Sequence, residues 1–520
     1  MRSHVALSLS LALVTLLAAL PAFAEESVFV QGLNEMQYSF NSDPDRVPTD
    51  PEEIFEDYLE ADIRFRRFLV GFRYEAFLPP FQSGPDSLRQ GFTQHFAAVE
   101  FPYGGLRVGN FYGIFGRGLL FRSYEERSIG VDTNMDGVLL QGNVGPLEMK
   151  ALTGRIQEAQ TNERSAVLRG TDLGVDLGWG LRTGGSYLMQ STEDPAQHQS
   201  AAIHSPRHIE ALGGRVSYTH DFFDVYYEAG RINRLFLTSK DVRVIRENGV
   251  PVGEDTLGYD DVRGRGHYAA VNLFPLSGVA ITAEYKDYRR FRFRPWGTET
   301  DYNLAPAVAR ETGYTLITRH AHQLDMDDEK GYQVEGVISP PIEGTTITLN
   351  RTKSELQNGE HSFAEWYAEW RQYIGERYAI ALVYDYTDVR RDSSRNHTPI
   401  VEFEYFSGDD WSLRSEYQYQ ESTTQAGLNR THFGLLEYHV DQDLGFSLVA
   451  EHADYCDESE GTCREKKDDF LYGQIDWFFN QTQHFTLTVG KRQEGTICVG
   501  GVCQQVPELQ GVELKLVSQF

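Results

Sequence analysis

The sequence predicts an all-β protein, a transmembrane antiparallel β-barrel of about 24 strands, good to about two either way, with short periplasmic turns and long extracellular loops. Three observations predict it. Beyond an N-terminal export segment, no apolar stretch is long enough to cross a bilayer as a helix. The rest of the chain is built of segments of roughly ten residues that alternate apolar with polar side chains. The connections between these segments alternate in length, tight and then long. In hydrocarbon only helices and closed barrels satisfy the backbone. A mean hydropathy of -0.44 fits a barrel, in which every second strand residue faces lipid. A soluble β protein would fit that value too, but it has no reason to sort its loops by parity.

Taken in order, the chain starts with Arg2, an apolar run over 5–20 and the small-x-small sequence Ala22-Phe23-Ala24. That pattern reads as a cleaved secretory signal over 1–24, leaving 25–520 as the barrel. The first cysteine is Cys456, so none stands at the cleavage site to take a lipid anchor. Strand-like alternation begins near Val28, which leaves no room for a separate N-terminal plug domain. Tight connections are expected near 66–67, 102–105, 145–146, 180, 221–223, 276–278, 340–343, 375–376, 408–410, 441–443 and 480–483. The long ones are 41–56, 79–90, 113–133, 157–169, 192–209, 236–262, 291–329, 355–361, 389–396, 421–430, 456–467 and 495–506. An even strand count puts both ends of the barrel on the periplasmic side. In the last strand Val512, Leu514, Leu516, Ser518 and Phe520 share one face, against Glu513, Lys515, Val517 and Gln519. A terminal Phe520 closing such a strand resembles the C-terminal assembly signal of outer-membrane proteins.

Composition narrows the function classes. With 48 Lys and Arg against 76 Asp and Glu, the chain lacks the basic surface that nucleic acid requires. Its 28 Tyr and 31 Phe suit interfacial girdles. The four cysteines form two short pairs, Cys456 with Cys463 and Cys498 with Cys503. In an oxidising compartment these read as local disulfides stapling two loops, rather than as a metal site, because no CxxC spacing occurs.

Two clusters bear on metal chemistry. Asp132, Asn134, Asp136 and Gly137 copy the first half of a calcium loop, but Asn143 stands where the twelfth-position acid belongs, so a polar turn explains them better. His320 and His322 lie near Asp325, Asp327, Asp328 and Glu329; in a long loop this reads as a solvated acidic tip. No GxSxG or HExxH is present, so no catalytic residue, cofactor or metal ligand is assigned.

Alternation also assigns the lumen. Glu365, Glu369, Glu402, Glu404, Glu416, Glu437, Glu451 and Asp476 form a carboxylate-rich wall, faced by Arg64, Arg66, Arg73, Arg107 and Lys150 on the early strands. Opposed charges across a pore would sort polar solutes. So wide a barrel would leak unless a loop narrowed it. The glycine-rich stretch 109–118 makes 113–133 the infolding candidate, with Arg117, Arg122 and Arg127 approaching Glu365, Glu369, Glu402, Glu404 and Glu416; otherwise 236–262 or 291–329 must do so.

The run Gly109-Asn110-Phe111-Tyr112-Gly113-Ile114-Phe115-Gly116-Arg117-Gly118-Leu119-Leu120, with Arg122, Tyr124, Glu125 and Glu126, resembles an uncharacterised family of Gram-negative outer-membrane barrel proteins. Ile129-Gly130-Val131-Asp132-Thr133-Asn134 continues the likeness. So do Arg310-Glu311, Tyr314-Thr315-Leu316 and Arg319-His320, and the ending Cys498-Val499-Gly500-Gly501-Val502-Cys503 with Val506-Pro507. The resemblance implies location and architecture and no activity; the Cys456 and Cys463 pair lies outside it. The resulting expectation is a non-enzymatic, porin-like channel for small polar solutes in the cell outer membrane, whose partners are outer-membrane lipids and the barrel-assembly machinery. The alternatives are a surface scaffold displaying stapled loops and an outer-membrane hydrolase.

Overall fold

The structure, a computed structural model, describes residues 28–42, 52–79, 90–127, 131–157, 164–191, 208–237, 242–247, 250–256, 259–295 and 301–520, without 392, 409, 426, 442, 458–463, 500–501 and 507. The expected signal segment 1–24 lies outside the described residues. So do the side chains of Cys456, Cys463, Cys498 and Cys503. The backbone does pair 495–499 with 502–506 in a ribbon that sets position 498 opposite 503.

Period-2 patterning produces one closed sheet of 24 strands. The early strands are β1 (Val28–Asn41), β2 (Glu53–Phe65), β3 (Phe68–Leu78), β4 (Gln90–Phe101), β5 (Gly104–Phe111), β6 (Met135–Val144), β7 (Leu147–Gln157) and β8 (Arg164–Gly178). Next come β9 (Leu181–Ser191), β10 (His208–His220), β11 (Phe223–Leu237), β12 (Tyr259–Leu276), β13 (Val279–Arg289), β14 (Asp328–Ile338), β15 (Thr345–Glu355) and β16 (His361–Ile374). The last are β17 (Tyr378–Val389), β18 (Ser394–Phe406), β19 (Trp411–Thr423), β20 (Leu428–Val440), β21 (Leu444–Asp457), β22 (Arg464–Asn480), β23 (Gln483–Arg492) and β24 (Leu509–Gln519). Each strand pairs antiparallel with its neighbours in sequence, and β1 pairs with β24, so no edge is left open. At that seam the Phe520 amide donates to the Gly32 carbonyl and Gly32 donates back.

Along β18 the alternation is visible residue by residue. Ser394, Asn396, Thr398, Ile400 and Glu402 are buried, whereas Arg395, His397, Pro399, Val401 and Phe403 are exposed on the outer face. All the short connections gather at one rim, together with the start of β1 and the end of β24. Several are two-residue turns with a left-handed residue, as at Arg66 (φ 55°) and Gly145 (φ 58°), a geometry that matches strand twist. Arg66 is therefore a turn residue and not a lumen-facing one, which corrects the sequence assignment. Around the outside of this rim stand Phe68, Tyr103, Trp179, Phe222 and Trp477, an aromatic girdle at a membrane interface.

The loop rim carries the long connections. An epitope inserted after Gln425 should be detected on intact cells, and one inserted after Thr482 only on permeabilised cells. The opposite pattern would reverse the orientation.

Candidate functional site

Two of the long connections turn inward and fill the lumen. The first, 112–134, makes two small ribbons, Gly113–Phe115 with Phe121–Ser123 and Glu125–Glu126 with Val131–Asp132. Its tip reaches across to β11 and β12. Gly116 (φ 54°) lies against the Glu228 carboxylate, where any Cβ would collide. The Arg117 amide donates to Glu228 Oε2 at 3.0 Å, and its guanidinium donates to the Tyr268 hydroxyl at 2.8 Å. Behind the tip, Leu119, Leu120 and Phe121 are fully buried against inward Leu139, Leu152, Leu168, Leu188, Ile209 and Ile232. The interior beside β6 to β13 thus holds an apolar core, each buried large side chain contributing about 1.5–3 kcal/mol. Glycines make room for it. Gly213, Gly230 and Gly266 stand side by side on β10, β11 and β12, and a Cβ there would strike Leu120 or Phe291.

The root of this loop is ionic. Arg127 pairs with Glu60 at 2.7 Å, Glu125 at 2.8 Å and Glu35 at 3.3 Å. Buried Arg73 pairs with Asp132 at 3.0 Å and touches Glu60, Glu75 and Glu125. A desolvated guanidinium needs such partners close by. Asp132 also accepts from Gln94 and from the Asn134 amide, so the calcium-like motif is a hydrogen-bonded turn inside the barrel. The arginines of this loop do not reach the carboxylates of the C-terminal half, as the sequence expectation had it. Arg117 meets Tyr268, Arg127 meets acids of β1 and β2, and Arg122 lies 4.7 Å over Tyr124. The early wall carries its own acids, so it is an internally paired cluster and not a positive face.

The second connection, 290–327, reaches the other wall. Phe291 and Phe293 join the apolar core. Buried Asn303 donates to the Phe291 and Leu119 carbonyls, tying the two loops together. Arg310 then pairs with Glu335 at 2.8 Å and lies 3.7 Å over the Tyr367 ring. A helical turn, α1 (Thr315–Thr318), rests on β19: the Leu316 amide donates to Gln418 and the Leu316 carbonyl accepts from Gln420. Arg319 makes a two-pronged contact with Glu451, at 2.6 and 2.9 Å.

His322 is buried at the mouth, 2.9 Å from Lys286 Nζ and 2.8 Å from Glu329 Oε1, which are themselves 3.0 Å apart. Within the acidic tip expected from sequence, His322 and Glu329 instead form a dry latch, because a fully buried Lys286 requires its counter-charge at hand, whereas Asp325 and Asp327 stay partly exposed beside Arg292. Burial, reinforced by Lys286, pushes the His322 pKa below its ordinary value.

The carboxylate wall is itself braced. Arg371 pairs with Glu369 at 3.0 Å and Glu402 at 2.8 Å. Arg414 pairs with Glu402 at 2.9 Å, Glu437 at 2.8 Å and Glu416 at 2.5 Å. Glu404 sits 3.8–3.9 Å from both. Sequence reasoning missed Arg371 and Arg414, although their positions two residues from Glu369 and Glu416 place them on the same face. It gave Arg310 and Arg319 no lumen role, although 291–329 stood as an alternative infolding loop. A cleft of about 260 Å³ remains beside α1, lined by Thr318, Arg319, Phe433, Glu451, Tyr472 and Arg492 among others.

A family model described as a family of unknown function (DUF6029) matches residues 2–343 and 342–520. No curated protein matches the chain in sequence. Among solved structures, it is similar to a chain of the E. coli P pilus tip assembly intermediate PapC-PapD-PapK-PapG, with a TM-score of 0.53 and 8% identity over 95% of this chain; it spans 61% of that chain. It is also similar to the copper transporter OprC (TM-score 0.43, 10% identity, 95% of this chain and 81% of that one). A BenF-like porin from Pseudomonas fluorescens Pf-5 gives a TM-score of 0.37 at 8% identity, covering 95% and 98%. At 8% identity the first of these is a likeness of fold alone, a large closed antiparallel barrel.

Proposed function

The chain belongs to the DUF6029 family of unknown function, and on that premise we propose that it is a porin-like outer-membrane channel for small polar solutes, held narrow by its own two infolded loops. The observation that carries this reading is the division of the interior. One side, beside β6 to β13, is sealed by the apolar core around Leu120 and Phe291, while the other, from β14 to β23, is lined by paired acids, arginines and amides. A polar lining wets a path for polar solutes, and alternating fixed charges select among them. Phe520 at the seam fits a role as the signal read by the barrel-assembly machinery, and the aromatic girdle fits a seat among outer-membrane lipids.

Planar-bilayer recording of the full-length protein tests the proposal. Small discrete conductance steps are expected, with influx of amino acids or small sugars into liposomes and exclusion of larger polymers. A surface scaffold would give neither, and absence of both with correctly folded protein would refute the channel.

A further inference from the structure

The outer wall of β11, β12 and β13 sets three arginines side by side. Arg231 lies opposite Arg265, and Arg265 lies opposite Arg289. Along their strands they alternate with inward Ile232, Gly266 and Tyr288, so all three leave the outer face, and all three are exposed. Residues directly opposed on neighbouring strands stand about 4.5–5.5 Å apart, and like charges so placed repel. The local acids do not cancel them. Asp287 is held by Arg289 at 3.1 Å and by Gln357 at 2.7 Å, and Asp261 by Arg263 at 3.0 Å. Arg231 and Arg265 have no hydrogen bond or ion pair among the described residues. The wall from β17 to β22 shows the contrast. There the outward Arg395, Arg430 and Lys467 each face an acid on the neighbouring strand, Asp388 at 3.3 Å, Glu421 at 3.6 Å and Asp454 at 3.3 Å.

We infer that the Arg231–Arg265–Arg289 row docks the phosphorylated sugar headgroup of an outer-leaflet glycolipid, an inference that rests on the reading of the chain as an outer-membrane barrel. Height argues for it. β13 runs 11 residues from Val279 at the turn rim to Arg289. A tilted strand of that length climbs about 25 Å, which is the height of the apolar band of such barrels. Below the row the outer face carries Val225, Val271 and Val334, then exposed Tyr227, Tyr285 and Tyr332, a bed for acyl chains. Charge argues for it as well. Unpaired guanidiniums at the edge of a membrane need an anion, and phosphate accepts their forked donors two at a time. The row spans two strand gaps, about 10 Å, a reach that suits a headgroup with more than one phosphate. A free phosphate would leave the apolar strip below unused. A second copy of this chain fits worse, because a two-fold contact on this row sets arginine against arginine. The site stands whether or not the barrel conducts.

Full-length protein folded in detergent is titrated with lipopolysaccharide, with the same lipid after enzymatic dephosphorylation, and with inorganic phosphate. Native mass spectrometry counts bound lipid, and thermal unfolding reads its effect. Saturable binding of the phosphorylated lipid and a raised unfolding midpoint are expected, with no rise from the other two. The Arg231→Gln, Arg265→Gln double variant should bind about tenfold more weakly or worse. Without glycolipid it should unfold at or above the wild-type midpoint, since repulsion within the row is relieved. Should it fail to fold, the phosphorylated and dephosphorylated lipids decide the matter on wild-type protein alone. Equal binding of the two lipids, undiminished binding by the folded variant, or a midpoint raised as much by inorganic phosphate overturns the inference. Wild-type protein that enters phosphatidylcholine vesicles as a heat-resistant barrel and yet binds no glycolipid sinks this inference alone. Failure to enter the vesicles sinks the outer-membrane reading with it.

Discussion

Lys286→Met is expected to destabilise the closed loop by about 3–5 kcal/mol, the usual cost of stranding a buried ion-pair partner. Lys286 Nζ is completely buried and holds three groups at once: Glu329 Oε1, the His322 ring and the Ala307 carbonyl. Its removal leaves the Glu329 carboxylate in a dry pocket with a neutral imidazole as its neighbour. The loop then releases while the strands, paired all the way round, stay folded. Limited trypsin digestion reports this directly, because Arg310 and Arg319 lie inside the lumen and become substrates only when 290–327 swings out. Cleavage at those arginines should accelerate by two or more orders of magnitude, and Lys286→Met with Glu329→Leu should recover most of the protection. An unchanged cleavage rate in Lys286→Met would mean that the latch does not hold the loop.

The same assay has a pH dependence with a definite sign. The folded pKa of His322 is lowered, so the folded state takes up a proton less readily than the unfolded one. The latch contributes fully above the ordinary histidine value of about 6.5 and weakens as pH falls below it. The charged groups facing the ring are Lys286 from β13, Glu329 from β14 and Arg391 from the connection after β17.

Excising 308–321 should raise single-channel conductance by something on the order of tenfold, given how wide a barrel of this strand number is. The excision is geometrically mild, because Ala307 and His322 both touch Lys286 Nζ and a short glycine linker can join them. It removes Arg310, α1 and Arg319, which together span the polar side of the interior, and it leaves the apolar core intact. Shortening 113–133 through Leu119–Phe121 has a different expectation. It exposes the inward Leu and Ile side chains of β6 to β11 and also unseats the second loop, which leans on the first through Asn303 and Leu304. That variant should conduct most and be the least heat-resistant. A folded 308–321 variant with unchanged conductance would show that this loop does not narrow the path.

Strand number and loop parity were legible because both rest on local signals, a period of two and the punctuation of tight turns. The interior was less so. Leu139, Leu152 and Leu168 point inward, yet in sequence they are indistinguishable from lipid-facing residues, since β6 reads Val138-Leu139-Leu140 with both faces apolar. The glycines at 213, 230 and 266 are visible one by one, but only the register across three strands turns them into a groove. Arg127 was picked out as a lumen residue, whereas its partners Glu35 and Glu60 come from strands far away in sequence. Pairing across a lumen depends on closure, and closure leaves no local trace.

The seam between β1 and β24 has a consequence for how the molecule assembles. Every other strand pair joins neighbours in the chain, so hairpins can form in succession at little entropic cost. The final pairing alone must bring together the two ends of a long ribbon. The two inward loops bear on that step. One runs from β5 to contacts on β1, β2 and β11, the other from β13 to contacts on β19 and β21. They act as spokes that impose curvature on an open sheet, so that less disorder remains to be lost when the rim meets itself.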